Sequence, residues 1–436
     1  KCQCGSNFER RKWHKYKDGR IRYGFECYKQ KNHGSYRTRL KKGLDTTGCC
    51  TTKMFPEWKL KIVAHWLFND LWKERDKIIN RAIEMLNATI KDENVVDYTD
   101  EVKELNKKLL LSIDDNYPIS LTQGLMGVCI YFYHLYRIDN NEEYKLIADD
   151  LLDDILGKLS FESPISVENG LAGIGLGIMH LIEYDFIEGN INVLLEDVDN
   201  AIFRNLAFFQ PDPSYKKETL LYILYYLSLR LDIQDEESNI YVYRELIIKI
   251  LNIIVSDLRE DFFNEPSSFS VYDFHLPAFT YICACLSKQE FYNNRIYKIL
   301  EELETKILST FPVLHANRLY MLCGMLPLVP YMNYKWKYYA NLLYKEIRLE
   351  QIFEEMSNKH IFIGNGLSLI YLLLHYLENN YSEYKISYRP FVLYDKIIGS
   401  EAWCSLIKHD YFFETHQGLF QGFPGTILIL SHIKNK

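Results

Sequence analysis

Five of the chain's ten cysteines fall within its first 50 residues: Cys2, Cys4, Cys27, Cys49 and Cys50. Thiolates in two close pairs, separated by short alternating segments, can surround a tetrahedral zinc ion. Four of the five suffice, so the set offers one ligand more than such a site needs. Asp18-Gly19, between Lys15-Tyr16 and Ile21-Arg22-Tyr23, signals a hairpin turn. A piece of about 50 residues has too small a core to fold unaided, so a structural zinc is expected to supply folding energy. The same head is cationic. Arg10, Arg11, Lys12, Lys15, Lys17, Arg20, Arg22, Arg37, Arg39, Lys41 and Lys42 interleave with Trp13, Tyr16, Tyr23 and Tyr36. Cations at this density contact phosphates, so DNA binding with a steep salt dependence is one expectation, and a solvated basic surface without a partner is the other.

The remaining cysteines, Cys129, Cys283, Cys285, Cys323 and Cys404, are scattered in apolar surroundings and read mostly as small core residues. Cys283 and Cys285 are two apart on a helical pattern, point away from each other, and cannot chelate together. His416, between Glu414 and Gln417-Gly418, is the weak candidate for an acid/base; a helix cap or surface residue is the bland reading. His315 and His360 stand just before apolar helices and carry the same two readings. His134, His180 and His375 recur near the ends of apolar helices as boundary residues. The 34 tyrosines and 24 phenylalanines are expected mainly in packing, with a tyrosine-rich peptide groove as the other reading.

These residues must be positioned by a chain of 436 residues, long enough for two or three domains. Apolar residues at 48% and charged residues at 25% exclude wholesale disorder. No apolar run reaches the length of a membrane span, and nothing suggests secretion, so no membrane partner and a cytoplasmic location are expected. The chain opens at Lys1 rather than Met, as an excised piece would. The net charge of −7 hides a split: residues 1–50 carry 14 Lys/Arg against 4 Asp/Glu, and an acidic body follows. From residue 113 onward, apolar residues recur at three- and four-residue spacing. Four copies of a glycine-opened apolar helix stand out, at Ile119–Gly127, Ile165–Gly173, Phe362–Ser368 and Gln417–Gly425, with weaker copies near Glu218, Leu276 and Asn317. That makes about seven units of about 45–50 residues. The expected fold is mainly α: inner helices opened by close-approach glycines and outer amphipathic helices, closing into an α/α toroid or remaining an open solenoid. A small zinc β-ribbon (1–53) and a charged helical, coiled-coil-like segment (54–112) precede it.

Two family resemblances attach to these motifs. Lys1–Phe8, Lys15–Tyr23, Cys27 and Cys49, followed by Glu57–Leu60, Trp66–Phe68 and Trp72–Asp76, resemble the zinc β-ribbon and coiled-coil segment of large serine recombinases over residues 1–112. Lys77–Leu111, with Ile78, Ile79, Ala82, Met85, Leu86 and Ile90 at helical spacing, would be the coiled-coil part. The recombinase catalytic domain is absent, so this part is expected to bind rather than exchange strands. Residues 113–436, through their Gly-Leu-x-Gly helix starts, resemble the lanthionine synthetase C family of lanthipeptide cyclases. The resemblance implies an α/α toroid and a central zinc, held by a Cys and by a Cys-His pair of a Cys-His-Gly motif. There a substrate thiol is activated to add to a dehydrated Ser or Thr. The sequence departs from this at Gly364-Asn365-Gly366, where the Cys-His-Gly motif would fall; Cys323-Gly324 is the nearest counterpart of the Trp-Cys-x-Gly motif, and Trp403-Cys404 lies elsewhere. The expectation is a binding or degenerate relative of the cyclases acting on a modified peptide. An active zinc-dependent thioether-forming cyclase, an unspecified metal-free chemistry, and a DNA-binding recombinase remnant fused to a passive toroid are the alternatives. The direct join at Lys107–Pro118, without a Gly/Ser linker, fits an accidental fusion.

Overall fold

A computed structural model of the protein describes residues 2, 4–15, 21–33, 36–52, 54–59, 61–62, 98–160, 162–210, 217–256, 258 and 260–435. The chain divides into two compact units, Lys1–Ile113 and Asp114–Lys436.

In the first unit, β1 (Phe8–Lys15) and β2 (Ile21–Cys27) are alternating segments that pair antiparallel, from Phe8 opposite Cys27 to Lys15 opposite Ile21. The register shifts between Lys12 and His14. A two-residue strand, β3 (Phe55–Pro56), pairs with β2 at Gly24 and Phe25, giving the order β1-β2-β3. Two short helices that the β-ribbon expectation did not include, α1 (Tyr28–His33) and α2 (Tyr36–Lys41), follow β2. The Asp18-Gly19 turn, Lys17, Arg20 and the stretch 63–97, where most of the expected charged helix falls, lie outside the described residues. Its C-terminal part is helical, as α3 (Tyr98–Ser112).

The second unit is mostly helical. Seven apolar helices contact one another in succession: α4 (Leu125–Asp139), α6 (Leu171–Glu183), α9 (Lys217–Asp232), α11 (Leu276–Lys288), α13 (His315–Met325), α16 (Leu367–Asn380) and α20 (Phe423–Lys434). The last returns to contact the first. They begin at or within a few residues of the starts that the sequence repeats mark. Helices of mixed polarity alternate with them: α5 (Glu142–Lys158), α8 (Glu196–Ala207), α10 (Glu237–Ser256), α12 (Asn293–Ser309), α14 (Tyr334–Glu346) and α17 (Pro390–Ile398). Short helices α7 (Ile191–Leu194), α15 (Leu349–Glu355), α18 (Glu401–Lys408) and α19 (Asp410–Thr415) fill connections.

Burial separates the two kinds of helix. Helix α4 buries every residue from Leu125 to Tyr133, and an apolar helix buried all round belongs inside. Helix α5 buries only the stripe Ile147, Ala148, Leu151 and Ile155, with acidic residues on its open face. Each such side chain withdrawn from water contributes about 1.5–3 kcal/mol.

Four of the inner helices share one N-terminal device. The first helical N–H donates to a carbonyl seven residues back: Leu125 to Pro118 (2.8 Å), Leu171 to Pro164 (2.8 Å), Leu367 to His360 (3.1 Å) and Phe423 to His416 (3.1 Å). The preceding loop is thereby folded flat over the helix end. The residue before the helix must be glycine, because a Cβ at Gly124 or Gly170 would stand 2.4 or 2.0 Å from a loop carbonyl oxygen. Helix α13 has no such glycine. Its orphan N–H groups are met by carboxylates: Glu265 accepts from Val313, Leu314 and the Asn317 amide, and Glu355 accepts from His315 (2.8 Å) and Ala316 (3.1 Å).

Candidate functional site

Among the described residues, one group of metal-ligating side chains converges. Cys2, Cys4, Cys27 and Cys50 hold their Sγ atoms within 4.8 Å of one another. Cys2 Sγ lies 3.3 Å from Cys50 Sγ, and Cys4 Sγ 3.4 Å from Cys27 Sγ. Four thiolates at Zn–S distances of about 2.3 Å stand roughly 3.8 Å apart, so the cluster needs little adjustment to hold a tetrahedral ion. The pairing of β1 with β2 brings Cys27 back beside the N-terminal Cys2 and Cys4, and Phe8 packs against the buried thiols. Cys49 stands outside the group, half-buried, so the extra ligand in the sequence is resolved in favour of its neighbour. Hydrogen bonding from Ser6 lowers Cys4 to about 6, and burial raises Cys27 to about 11. Thr52 Oγ1, 3.1 Å away, helps hold Cys2 below the usual thiol value. The four could therefore hold a metal ion, and an all-sulfur set favours a soft one.

The basic residues around this cluster are only partly free to meet a partner. Arg10 makes a bidentate pair with Glu57 and lies over the Tyr23 ring; Arg11 pairs with Glu26 at 2.6 Å. The Arg39 guanidinium donates to the Asp45 carbonyl, and Arg22 sits 6.0 Å from the Trp58 ring. Lys12, Lys15, Arg37, Lys41 and Lys42 are exposed.

In the second unit, a cavity of ≈ 470 Å³ lies within the ring of apolar helices. Its mouth is formed by the loops folded over helix ends, through Leu121, Thr122, Val167, Glu168, Val271, Tyr272 and Phe420. Its walls come from five helices: Leu176 of α6, Tyr222 and Tyr225 of α9, Tyr281 and Ile282 of α11, Tyr320 and Cys323 of α13, and Leu369, Leu373 and Tyr376 of α16. Backbone and side-chain bonds staple the loops to one another. Thr122 Oγ1 donates to the Glu168 carbonyl (3.1 Å), Phe420 N–H to Thr122 (3.3 Å), Gly364 N–H to Phe420 (2.7 Å) and Val271 N–H to Gly364 (3.0 Å). Gln123 Nε2 donates to Gln421 Oε1 at 2.8 Å. Burial holds the hydroxyls of Tyr225, Tyr272 and Tyr320 above the ordinary phenol range and raises Tyr281 to about 12, so these rings are neutral at pH 7.

The tyrosine-rich surface, the minor reading of the aromatic content, is thus where the inner helices converge. The histidine candidates stand elsewhere. His416 is stacked between Phe362 (4.7 Å) and Phe412 (4.1 Å), its Nδ1 2.8 Å from the Phe412 carbonyl, and burial lowers its basicity. It does not line the cavity, and its own carbonyl closes the loop onto Phe423. His360 does the same for Leu367, while His315 accepts from the Arg348 N–H at 3.1 Å. His134 and His180 meet at the far ends of α4 and α6 with their Nε2 atoms 2.8 Å apart. His375 stacks on Tyr371 near the end of α16. Cys129, Cys283 and Cys323 are buried as core residues would be, and Cys285 is half-buried. Cys404 is the exception: it is exposed, because α18 buries Ala402, Trp403 and Leu406 and turns Cys404 to solvent.

Among the described residues, the zinc implied by the cyclase resemblance finds no matching set of donors at this cavity. Gly364, at the mouth, is held through its backbone, and Asn365 offers an amide whose buried Oδ1 has no partner. Cys323 is the one thiol among the lining residues; burial raises its pKa, and its Sγ donates toward the Leu373 carbonyl at 3.7 Å. Among the described lining residues there is no imidazole. A catalytic zinc needs three protein ligands that deprotonate readily, and these residues do not supply them.

Residues 115–268 match the family model described as lanthionine synthetase C-like protein. Among solved structures, nisin cyclase superposes with a TM-score of 0.48 and 16% sequence identity, covering 77% of this chain and 93% of that one. No curated protein matches the chain. The first part of the helical unit, from the start of α4 through α10, is therefore similar to lanthionine synthetase C-like proteins.

Proposed function

We propose that residues 114–436 form a closed α/α toroid of the lanthionine synthetase C-like kind that binds a peptide segment in its tyrosine-lined central cavity without the family's zinc chemistry. The observation that carries this reading is the cavity wall. Its described lining is six phenols, aliphatic side chains, Glu168 and the single buried thiol of Cys323, where the resemblance leads one to expect a cysteine and a Cys-His pair. Neutral aromatic rings bury large apolar area at small entropic cost and keep a hydroxyl for hydrogen bonding, which suits a peptide side chain entering from the mouth. The family match over residues 115–268 supports the peptide as ligand class. Residues 1–53 are, on this reading, a zinc-stabilised β-ribbon with Cys2, Cys4, Cys27 and Cys50 as ligands.

Metal content of the full chain tests both halves at once. One zinc per chain is expected, lost in a Cys4→Ser, Cys50→Ser variant. A second zinc that survives those substitutions, together with thioether formation on a dehydrated cysteine-containing peptide, would overturn the reading of the toroid. The exposed Lys12, Lys15, Arg37, Lys41 and Lys42 favour the second reading, a DNA-binding head on a passive toroid. The intramolecular pairing of Arg10 and Arg11 weakens it. Absence of duplex binding at low salt would dispose of it.

A further inference from the structure

We propose that the central cavity is a receptor for an ammonium group carried on an apolar body, with Glu168 as its counter-ion. The inference deepens the peptide-binding reading and rests on it for the source of that group, a lysine side chain rather than a free amine.

The charge of the wall is one-sided. Among the described residues that line it, Glu168 is the one that carries a charge, and His275 stands behind the wall with its Nδ1 3.3 Å from the Tyr222 hydroxyl. Six phenols complete the surface: Tyr222, Tyr225, Tyr272, Tyr281, Tyr320 and Tyr376. Aromatic rings carry negative potential on their faces and attract alkylammonium groups, more strongly where water is excluded. Their hydroxyl oxygens can also accept from an N–H. Burial first, then the neighbouring Glu168 carboxylate, holds the Tyr272 hydroxyl above the ordinary phenol range, which puts that carboxylate close to one ring of the wall.

Other occupants fit less well. An anion would meet Glu168 and the ring faces with no cation to offset them. A neutral apolar ligand would fill the space but displace water from the half-buried Glu168 carboxylate and give it nothing in return. A lysine side chain does both jobs: its four-carbon stem covers the aliphatic wall of Leu176, Ile282 and Leu373, and its head keeps the carboxylate paired. A volume of ≈ 470 Å³ accommodates one such side chain and a neighbouring residue, not a folded domain.

The test is calorimetric titration of the full chain with three probes: acetyl-lysyl-phenylalanine amide, its near-isostere acetyl-norleucyl-phenylalanine amide, and 2-phenylethylamine. The lysine peptide is expected to bind about tenfold more tightly than the norleucine peptide. Glu168→Gln is expected to erase that preference while leaving the norleucine peptide's affinity in place, which also shows that the variant is folded. Equal affinities for the two peptides in the unmodified protein would overturn the ammonium site and leave peptide binding standing. Glu168-dependent binding of phenylethylamine with neither peptide bound would keep the ammonium site and remove the peptide as its source. Failure of all three probes to bind overturns both.

Discussion

Replacing Gly170 with alanine sets two general effects against each other, and the structure decides the sign. Alanine lowers the entropy of the unfolded chain, which by itself stabilises by about 0.4–1 kcal/mol. Against this, the new Cβ would lie 2.0 Å from the Pro164 oxygen, 2.5 Å from its carbon and 2.7 Å from the Ser166 nitrogen. All three are backbone atoms, so no rotamer change relieves the clash; the loop must lift. Lifting it breaks or lengthens the 2.8 Å bond from Leu171 N–H to Pro164, a loss of about 0.5–1.5 kcal/mol, and adds overpacking strain of about 1–3 kcal/mol. The net is a destabilisation of about 1–4 kcal/mol, read as a lower midpoint in urea with an unchanged slope. The same loop carries Val167 and Glu168 to the cavity mouth, so Gly170→Ala should also weaken peptide binding. Asn169→Ala, at an exposed neighbouring position, should do neither. A Gly170→Ala protein at least as stable as the parent would refute the idea that these glycines are fixed by the loop lying across the helix end.

Two further outcomes are expected. Arg230, 1% exposed, is held by three hydrogen bonds to the Asp199 carboxylate, which also accepts from Tyr226 at 2.6 Å. Asp199→Ala should cost about 3–5 kcal/mol by stranding the guanidinium, whereas Asp199→Leu with Arg230→Met should recover most of the loss; denaturant titration of both variants checks this. Burial, then the neighbouring His180 and Arg137, hold His134 at about 4, below the ordinary value near 6.5. The unfolded chain therefore binds the extra proton between those values, so the contribution is complete above about pH 6.5 and is lost as pH falls toward about 4. Melting temperatures should fall more steeply over that window in the parent than in His134→Gln, and parallel curves would show that the pair does not titrate with unfolding.

The repeat was legible because it is local. A glycine followed by an apolar run at helical spacing identifies an inner helix whatever surrounds it, and four of the seven helices announce themselves that way. The start of α13 was one of three fainter ones, and there Glu265 and Glu355, some 40 to 50 residues away on either side, do what a loop carbonyl does elsewhere. The thiol cluster was legible as four of five cysteines; which one is left over was not, and it is the 3.3 Å approach of Cys50 Sγ to Cys2 Sγ that leaves Cys49 outside the group. The cavity was hidden for the opposite reason. Its six tyrosines come from four different helices and one loop, at positions from 222 to 376, and nothing in their spacing relates Tyr281 to Tyr376 until α11 and α16 are seen to line the same space. The cyclase motif pointed instead to Gly364-Asn365, and the place before Gln417-Gly418 to His416. Side chains that bind through apolar area and a single carboxylate have no required spacing, because neither interaction is directional enough to demand one. A binding site of this kind is written in which helices neighbour one another, and is read only once the last helix, α20, is seen to touch the first.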